Sequence, residues 1–177
     1  MKKVMKASAL FSALLAASST VLFWMTQSEF MLIMAITFGT TAYHFIMRLL
    51  IGATIHLIFR NRMDYRRKRF RVSTWEQDLY QKLSVKKWKA KMPTYTPDCF
   101  DPRQHSWHEI AQATCQAELV HEWIILLSFV PVFAAIPFGA LGVFLTTSCL
   151  AACFDTLFVI MQRYNRPRIL KFLPDLS

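Results

Sequence analysis

Residues 119–138, LVHEWIILLSFVPVFAAIPF, are followed after Gly139 by residues 140–161, ALGVFLTTSCLAACFDTLFVIM. Each stretch has about the length a helix needs to cross a bilayer core, roughly 20 predominantly apolar residues. Pro137, Phe138 and Gly139 make a tight connection between them. The two read as a helical hairpin in a membrane. Upstream, two more runs meet the same length: residues 7–25, behind Lys2, Lys3 and Lys6, and residues 30–59, interrupted by His44, Arg48 and His56. The expected fold is all-α: an integral membrane bundle of four transmembrane helices over 7–25, 30–59, 119–138 and 140–161. It forms one membrane domain over 1–177, with an amphipathic-helix segment at 60–118 and a tail at 162–177.

The composition agrees. Of the 177 residues, 54% are hydrophobic, yet 21 Lys plus Arg face 11 Asp plus Glu, for a net charge of +10. A soluble domain of this size interrupts its apolar residues every few positions to build one core. Here the apolar residues gather into runs and the charge fills the gaps, which excludes a soluble domain, a disordered tail and a disulfide scaffold. Nucleic acid is excluded as a partner because its basic residues would need a folded polar surface. The first run has a basic start and small residues at 16–19, like a secretory signal. Its apolar character continues through Val21, Leu22, Phe23 and Trp24, so it is read as a span.

Lys and Arg set the orientation. With four spans both termini share a side, which also receives the segment from Arg60 to Val120 and the tail from Arg163 onward. The opposite loops, residues 26–29 and the Pro137 turn, contain no Lys or Arg; only Arg48 of the 21 basic residues is not on the first side. Both termini are therefore expected to be cytoplasmic. Cys99 and Cys115 fall on that side and Cys149 and Cys153 within a span, so none is placed for an extracellular disulfide.

The 60–118 segment has three parts. Residues 60–71, RNRMDYRRKRFR, are strongly basic. They read first as the positive-inside signal with attraction to anionic headgroups, and second as a dock for an anionic carrier such as a coenzyme A phosphate. In residues 73–92, Thr74 and Gln77 have capping-box spacing. Trp75, Leu79 and Leu83 recur opposite a charged face, which predicts an interfacial amphipathic helix ended by Pro93 and Pro97. Residues 100–122, FDPRQHSWHEIAQATCQAELVHE, hold three of the five histidines. If they are helical from Ser106, then His108, Cys115, Glu118 and Glu122 share one broad face. Glu118 and His121 are i, i+3 neighbours, and a carboxylate beside an imidazole orients it as a general base. The plainer reading is a helix end entering the headgroups with Glu and His reaching for water.

Polar groups also lie within the spans. Arg48 stands 12 residues before Arg60, about 18 Å along a helix. A charge at that depth costs at least about 2.5–3.5 kcal/mol, so it faces a partner or a polar cavity. His44, Arg48, Gly52 and His56 form a polar stripe, and Asp155 is expected to pair with a histidine or arginine of the second span, either as a buried link or as part of a substrate pocket. The last span ends in QRYNRPRIL, where Gln162, Arg163, Tyr164, Asn165, Arg166 and Arg168 put three guanidiniums and several other donors at the interface, suited to phosphate or carboxylate.

Four stretches resemble the glycosyl-4,4'-diaponeurosporenoate acyltransferase family, small bacterial membrane proteins: KKWKAKMP at 86–93, the FD…H element at 100–105, ATCQAELVHEW at 113–123 and MQRYNRPRIL at 161–170. The resemblance covers the C-terminal two thirds of the chain. It puts Cys115, Glu118, His121, Gln162, Arg163, Tyr164, Asn165 and Arg166 on family motif positions. It implies transfer of a fatty acyl chain from a thioester donor, an acyl-CoA or acyl-carrier thioester, to a hydroxyl of a glycolipid or isoprenoid-linked sugar, in a bacterial plasma membrane and with no cofactor or metal. The second-span HFIMRLL element and Asp155 are less typical of the carotenoid enzymes. The chemistry of O-acyl transfer then assigns His121 as base, oriented by Glu118, with His108 second. Gln162, Asn165 and Arg166 would hold the donor or the oxyanion, His44, Arg48 and Asp155 the acceptor head, and Cys115 is the alternative nucleophile. Membrane lipids and a lipid-linked sugar are the expected partners. A non-enzymatic scaffold or lipid-binding subunit keeps the fold without the chemistry. A metal enzyme using His105, His108, Glu118 and His121 has too few histidines for the His-rich membrane oxidases, and four spans without an internal repeat argue against a transporter.

Overall fold

A computed structural model describes residues 2–173; the last four residues of the expected 162–177 tail lie outside the described residues. The fold is all-helical, and four helical stretches are long and apolar enough to cross a membrane: Lys2–Thr26, Glu29–Phe59, Trp107–Phe138 and Leu141–Leu170. We label the α-helices α1 (Lys2–Thr26), α2 (Glu29–Phe59), α3 (Thr74–Lys82), α4 (Val85–Trp88), α5 (Trp107–Leu127), α6 (Ala135–Phe138) and α7 (Leu141–Leu170). Two compact units divide between Gly52 and Ala53, inside α2.

The first unit holds α1 and most of α2. Serine and threonine hydroxyls in these helices donate to carbonyls of their own preceding turn, which suits a dry surround. Ser12 Oγ donates to the Ser8 carbonyl at 2.6 Å, Thr20 to Ala16 at 2.8 Å, and Thr40 to Ile36 at 2.8 Å. Gln27, in the left-handed region at φ 51°, breaks the helical run between the two helices.

In the second unit, α5 packs along α7 as an antiparallel pair. Ser106 and Glu109 form the capping box that starts α5, 12 residues before the apolar run begins at Leu119. The conditional helix from Ser106 is thus real. The expected 119–138 helix, in contrast, is not continuous. α5 stops at Leu127, and Pro131 and Pro137 divide the remainder into a 3-10 turn (Val130–Ala134) and α6. α7 in turn runs past Met161 to Leu170, because residues 162–166 continue the helix as ion-pairing and packing positions. Outward-facing positions of the hairpin are apolar; Ile136, Phe133 and Leu150 are 83%, 71% and 66% exposed, a surface suited to lipid and not to water.

The basic segment folds back on α5. Arg60 and Asn61 take positive φ, and the Asn61 N–H then reaches Gln116 Oε1 at 2.7 Å. Tyr65 Oη meets His108 Nδ1 at 3.1 Å, Arg69 pairs with Glu122, and Phe70 is buried. The face of α5 carrying His108, Glu118 and Glu122 is therefore the face this segment covers.

The expected helix over 73–92 is broken. The capping box is Ser73 with Glu76, one residue before the Thr74–Gln77 pair, because the Glu76 carboxylate is a charged acceptor for the Ser73 N–H at 2.9 Å and sits at the positive helix end. Ser84, left-handed at φ 50°, ends α3 and turns Val85 into a core with Tyr80 and Tyr164. The apolar stripe faces out as expected: Trp75, Leu79 and Leu83 are 66%, 39% and 46% exposed.

Candidate functional site

On α7, the residues of QRYNR point in three directions, as 3.6 residues per turn requires. Gln162 and Asn165 face a cavity, Arg163 and Arg166 face α5, and Tyr164 packs on α3 and α4.

The arginine face forms a closed cluster around Glu118, which is fully buried. Arg163 Nη1 donates to Glu118 Oε1 at 2.7 Å, and Arg166 Nη2 donates to Oε2 at 2.5 Å. Arg163 also grips Glu76 through Nε at 2.8 Å and Nη2 at 3.0 Å, and reaches the Arg69 and Arg71 carbonyls. Arg166 adds Thr114 Oγ1 at 3.0 Å and the Phe70 carbonyl at 2.9 Å. Two carboxylates and two guanidiniums thereby tie four segments together: 69–71, α3, α5 and α7. Burial pushes the Glu76 carboxyl up, but the hydrogen bonds from Arg163 and Ser73 and the guanidinium charge more than reverse this, holding it at about 2 against the ordinary 4.5. Burial and the Glu76 charge raise the neighbouring Tyr80 hydroxyl.

One turn further along α5, His121 Nδ1 donates to Asp155 Oδ1 at 2.9 Å, and Asp155 is buried on α7. The imidazole stacks on Phe158 at 4.5 Å, with the planes 5° apart. Its side chain is 21% exposed, so the ring is fixed on one edge and reachable on the other. With Nδ1 donating to a carboxylate, Nε2 is the nitrogen left to accept a proton. Sequence spacing suggested Glu118 as the orienting carboxylate; the ring instead has Asp155, because Glu118 turns toward the arginines.

A cavity of about 510 Å³ opens where the ends of α5 and α7 meet residues 89–100. Its walls are Phe100, Trp107, Ile110, Met161, Ile169 and Phe172, with Trp107 stacked on Phe172 at 4.5 Å. Its polar groups are Lys89, Thr94, Thr114, Gln162, Asn165 and Arg168. Lys89 Nζ donates to Asn165 Oδ1 at 2.5 Å. Burial, then Arg168 and Lys86, push the Lys89 ammonium down. Lys89 was not singled out by sequence reading, its place in the KKWKAK stretch being the available signal, whereas Arg168 belongs to the donor set read from QRYNRPRIL.

The remaining expected residues are placed as follows. His108, the second candidate base, is the Tyr65 partner. Cys115 is 0% exposed, which closes it to an incoming acyl group. His44 and Arg48 belong to the first unit, where Arg48 Nη1 donates to the His44 carbonyl at 3.2 Å. His105, His108, Glu118 and His121 are not gathered into one ligand set: His105 lies near Glu109, and the other three have the partners given above.

The family model for glycosyl-4,4'-diaponeurosporenoate acyltransferase matches residues 64–175, more than half of the chain. Neither a curated protein nor a solved structure matches it. The match begins at the basic segment and includes α3, α5, α7, the His121–Asp155 pair and the cavity.

Proposed function

We propose, from the premise that the chain belongs to the glycosyl-4,4'-diaponeurosporenoate acyltransferase family, that it moves a fatty acyl chain from a thioester donor to a hydroxyl of a membrane glycolipid. The observation that carries this reading is the His121–Asp155 pair, at the level where α5 becomes apolar. His121 Nε2 takes the proton of the acceptor hydroxyl as its oxygen attacks the thioester carbonyl. The tetrahedral intermediate then collapses, the carbon–sulfur bond breaks, and the leaving thiolate recovers the proton from His121. Asp155 holds the ring in the productive tautomer and balances the imidazolium. The acyl and acceptor tails lie along the lipid-facing sides of the spans. By the distribution of Lys and Arg, both termini and the 60–118 segment face the cytoplasm of a bacterial plasma membrane, where thioesters are made.

The test is transfer by purified chain in nanodiscs, from an acyl thioester to an alkyl glycoside, followed by mass spectrometry. His121→Gln should lower turnover about 10²–10⁴-fold, the usual contribution of a positioned base. Near-normal turnover in that variant, with the protein folded in the membrane, would remove His121 from the mechanism. The second reading, a non-catalytic lipid-binding subunit, is favoured by one feature: Arg163, Arg166 and Glu118 engage each other and leave no free guanidinium face. Absence of transfer in every thioester and acceptor combination, alongside retained lipid binding, would favour it.

A further inference from the structure

Two cations share the cavity wall, and among the described residues no carboxylate lines it. Lys89 Nζ lies 4.9 Å from the centre of the Tyr164 ring and the Arg168 guanidinium 3.5 Å from it, so one aromatic ring holds both charges. Arg168 is one source of the downward push on the Lys89 ammonium. Such mutual repulsion is relieved by a bound anion. Arg163 and Arg166, which sequence reading offered for this purpose, are neutralised by Glu118 and Glu76. Lys89 donates to Asn165 and Arg168 Nη1 to the Tyr164 carbonyl at 2.5 Å, both neutral acceptors, so the charge of the cavity cations is the charge left to an anion.

The stripes of α5 and α7 that line the cavity lead toward His121, which is not itself among the lining residues. On α5, Ile110, Thr114, Ala117 and His121 succeed one another at intervals of four, three and four residues, one stripe of a helix. Thr114 and Ile110 line the cavity, and His121 stands seven residues beyond Thr114, about 10 Å. Between them Ala117 offers only a methyl group. On α7, Phe158, against which His121 stacks, leads through Met161, Gln162 and Asn165 to Arg168, about 15 Å in ten residues. A ligand anchored at Lys89 and Arg168 and reacting at His121 must therefore be long and slender. Gln162 and Asn165, lining the way, suit an arm with amide donors and acceptors of its own.

We propose that this cavity seats the phosphate and amide arm of the acyl donor, a phosphopantetheine-type thioester, with the phosphate at Lys89 and Arg168 and the thioester toward His121. A neutral sugar is the poorer occupant, because its many hydroxyl donors need acceptors and no carboxylate lines the cavity among the described residues. The assignment rests on the acyl-transfer reading for the identity of the ligand, but its test needs no turnover.

The probe is an S-alkyl phosphopantetheine thioether, which lacks the carbonyl and cannot react, titrated into the full chain in phosphatidylcholine nanodiscs. Saturable binding is expected. Lys89→Gln, which leaves the Arg168–Tyr164 contact in place, should weaken it, and Lys89→Gln with Arg168→Gln should weaken it about tenfold or more, with an unchanged melting midpoint. The dephosphorylated probe should bind the parent chain no better than the phosphorylated probe binds the double variant, and should be indifferent to both substitutions. The proposal is overturned if the two probes bind alike, if inorganic phosphate or anionic vesicles compete as well as the whole arm, or if an alkyl glucoside takes the site in a Lys89-dependent way. If the binding pattern holds and the purified chain never transfers acyl groups, the acyl-transfer reading fails and the site stands. If transfer occurs with an unaltered donor KM in the double variant, the site fails and the reading stands.

Discussion

Glu118 is the side chain whose loss should be felt most in stability. It is fully buried and accepts from two guanidiniums, one of which has no other carboxylate. Removing one partner of a buried ion pair leaves an uncompensated charge and costs about 3–5 kcal/mol. Glu118→Gln keeps the shape and should lower the unfolding midpoint in detergent by that equivalent. A midpoint unchanged from the parent would mean that the cluster does not hold the fold. Asp155 should behave differently: Asp155→Asn is expected to lower kcat about 10²–10⁴-fold with donor KM unchanged, because it acts on the base and not on the ligand; an equal rise in KM would argue for a general loss of structure. Sequence reading found both residues but gave His121 to Glu118, whereas the ring meets Asp155. Spacing shows which residues are neighbours on one helix, and Glu118 and His121 are such neighbours. It does not show which residue of a distant helix each one faces, and that pairing decides which carboxylate orients the ring.

α3 is held to α7 by an ion pair, so its docking should depend on pH. The docked Glu76 carboxyl titrates at about 2 and a released one at the ordinary 4.5. A lowered folded value means that the stabilisation is complete above 4.5 and is lost as pH falls from there toward 2. In a variant keeping Trp88 as its sole tryptophan, the fluorescence should change over that window, and Glu76→Gln should flatten the change. A transition confined to higher pH would point to another group. The turn before α7 supplies a second test. Gly139 has φ 68° and ψ −148°, a region that only glycine enters without strain, and a Cβ there would meet no atom within 4 Å. Gly139→Ala should therefore cost about 1–3 kcal/mol by strain alone, seen as a lower melting midpoint. The sequence marked this turn by its Pro-Phe-Gly and the start of α5 by Ser106, while the α3 cap was read one residue late, at Thr74 and Gln77. It did not mark the break at Ser84, because nothing local forbids helix there; burial of Val85 in a core supplied by α7 is what turns the chain.

For the whole molecule, the segregation of apolar runs from basic gaps is what made the four spans readable, since bilayer thickness imposes a length that composition must meet. The same pattern predicts the orientation we propose: reporter fusions at the C-terminus and after residue 59 should both read cytoplasmic, with one placed after Phe138 reading external. The reverse result would move the thioester site to the wrong compartment for the proposed chemistry. Much less legible was how far the helices leave the apolar layer. α5 begins at Trp107 and α7 ends at Leu170, beyond the apolar runs, and the ion cluster and the cavity both lie on these extensions. Hydropathy locates the spans but does not register the polar ends that lengthen them.

The Glu118 cluster also imposes an order in time. The carboxylate precedes Arg163 and Arg166 by 45 and 48 residues, so a growing chain makes the acid long before its bases. At ordinary synthesis rates the gap is roughly 2–10 s. Throughout it α5 must wait with Glu118 in water or among headgroups, and settles only when α7 arrives. The hairpin is therefore assembled in one late step, and a nascent chain stopped before residue 163 is expected to leave α5 open to protease.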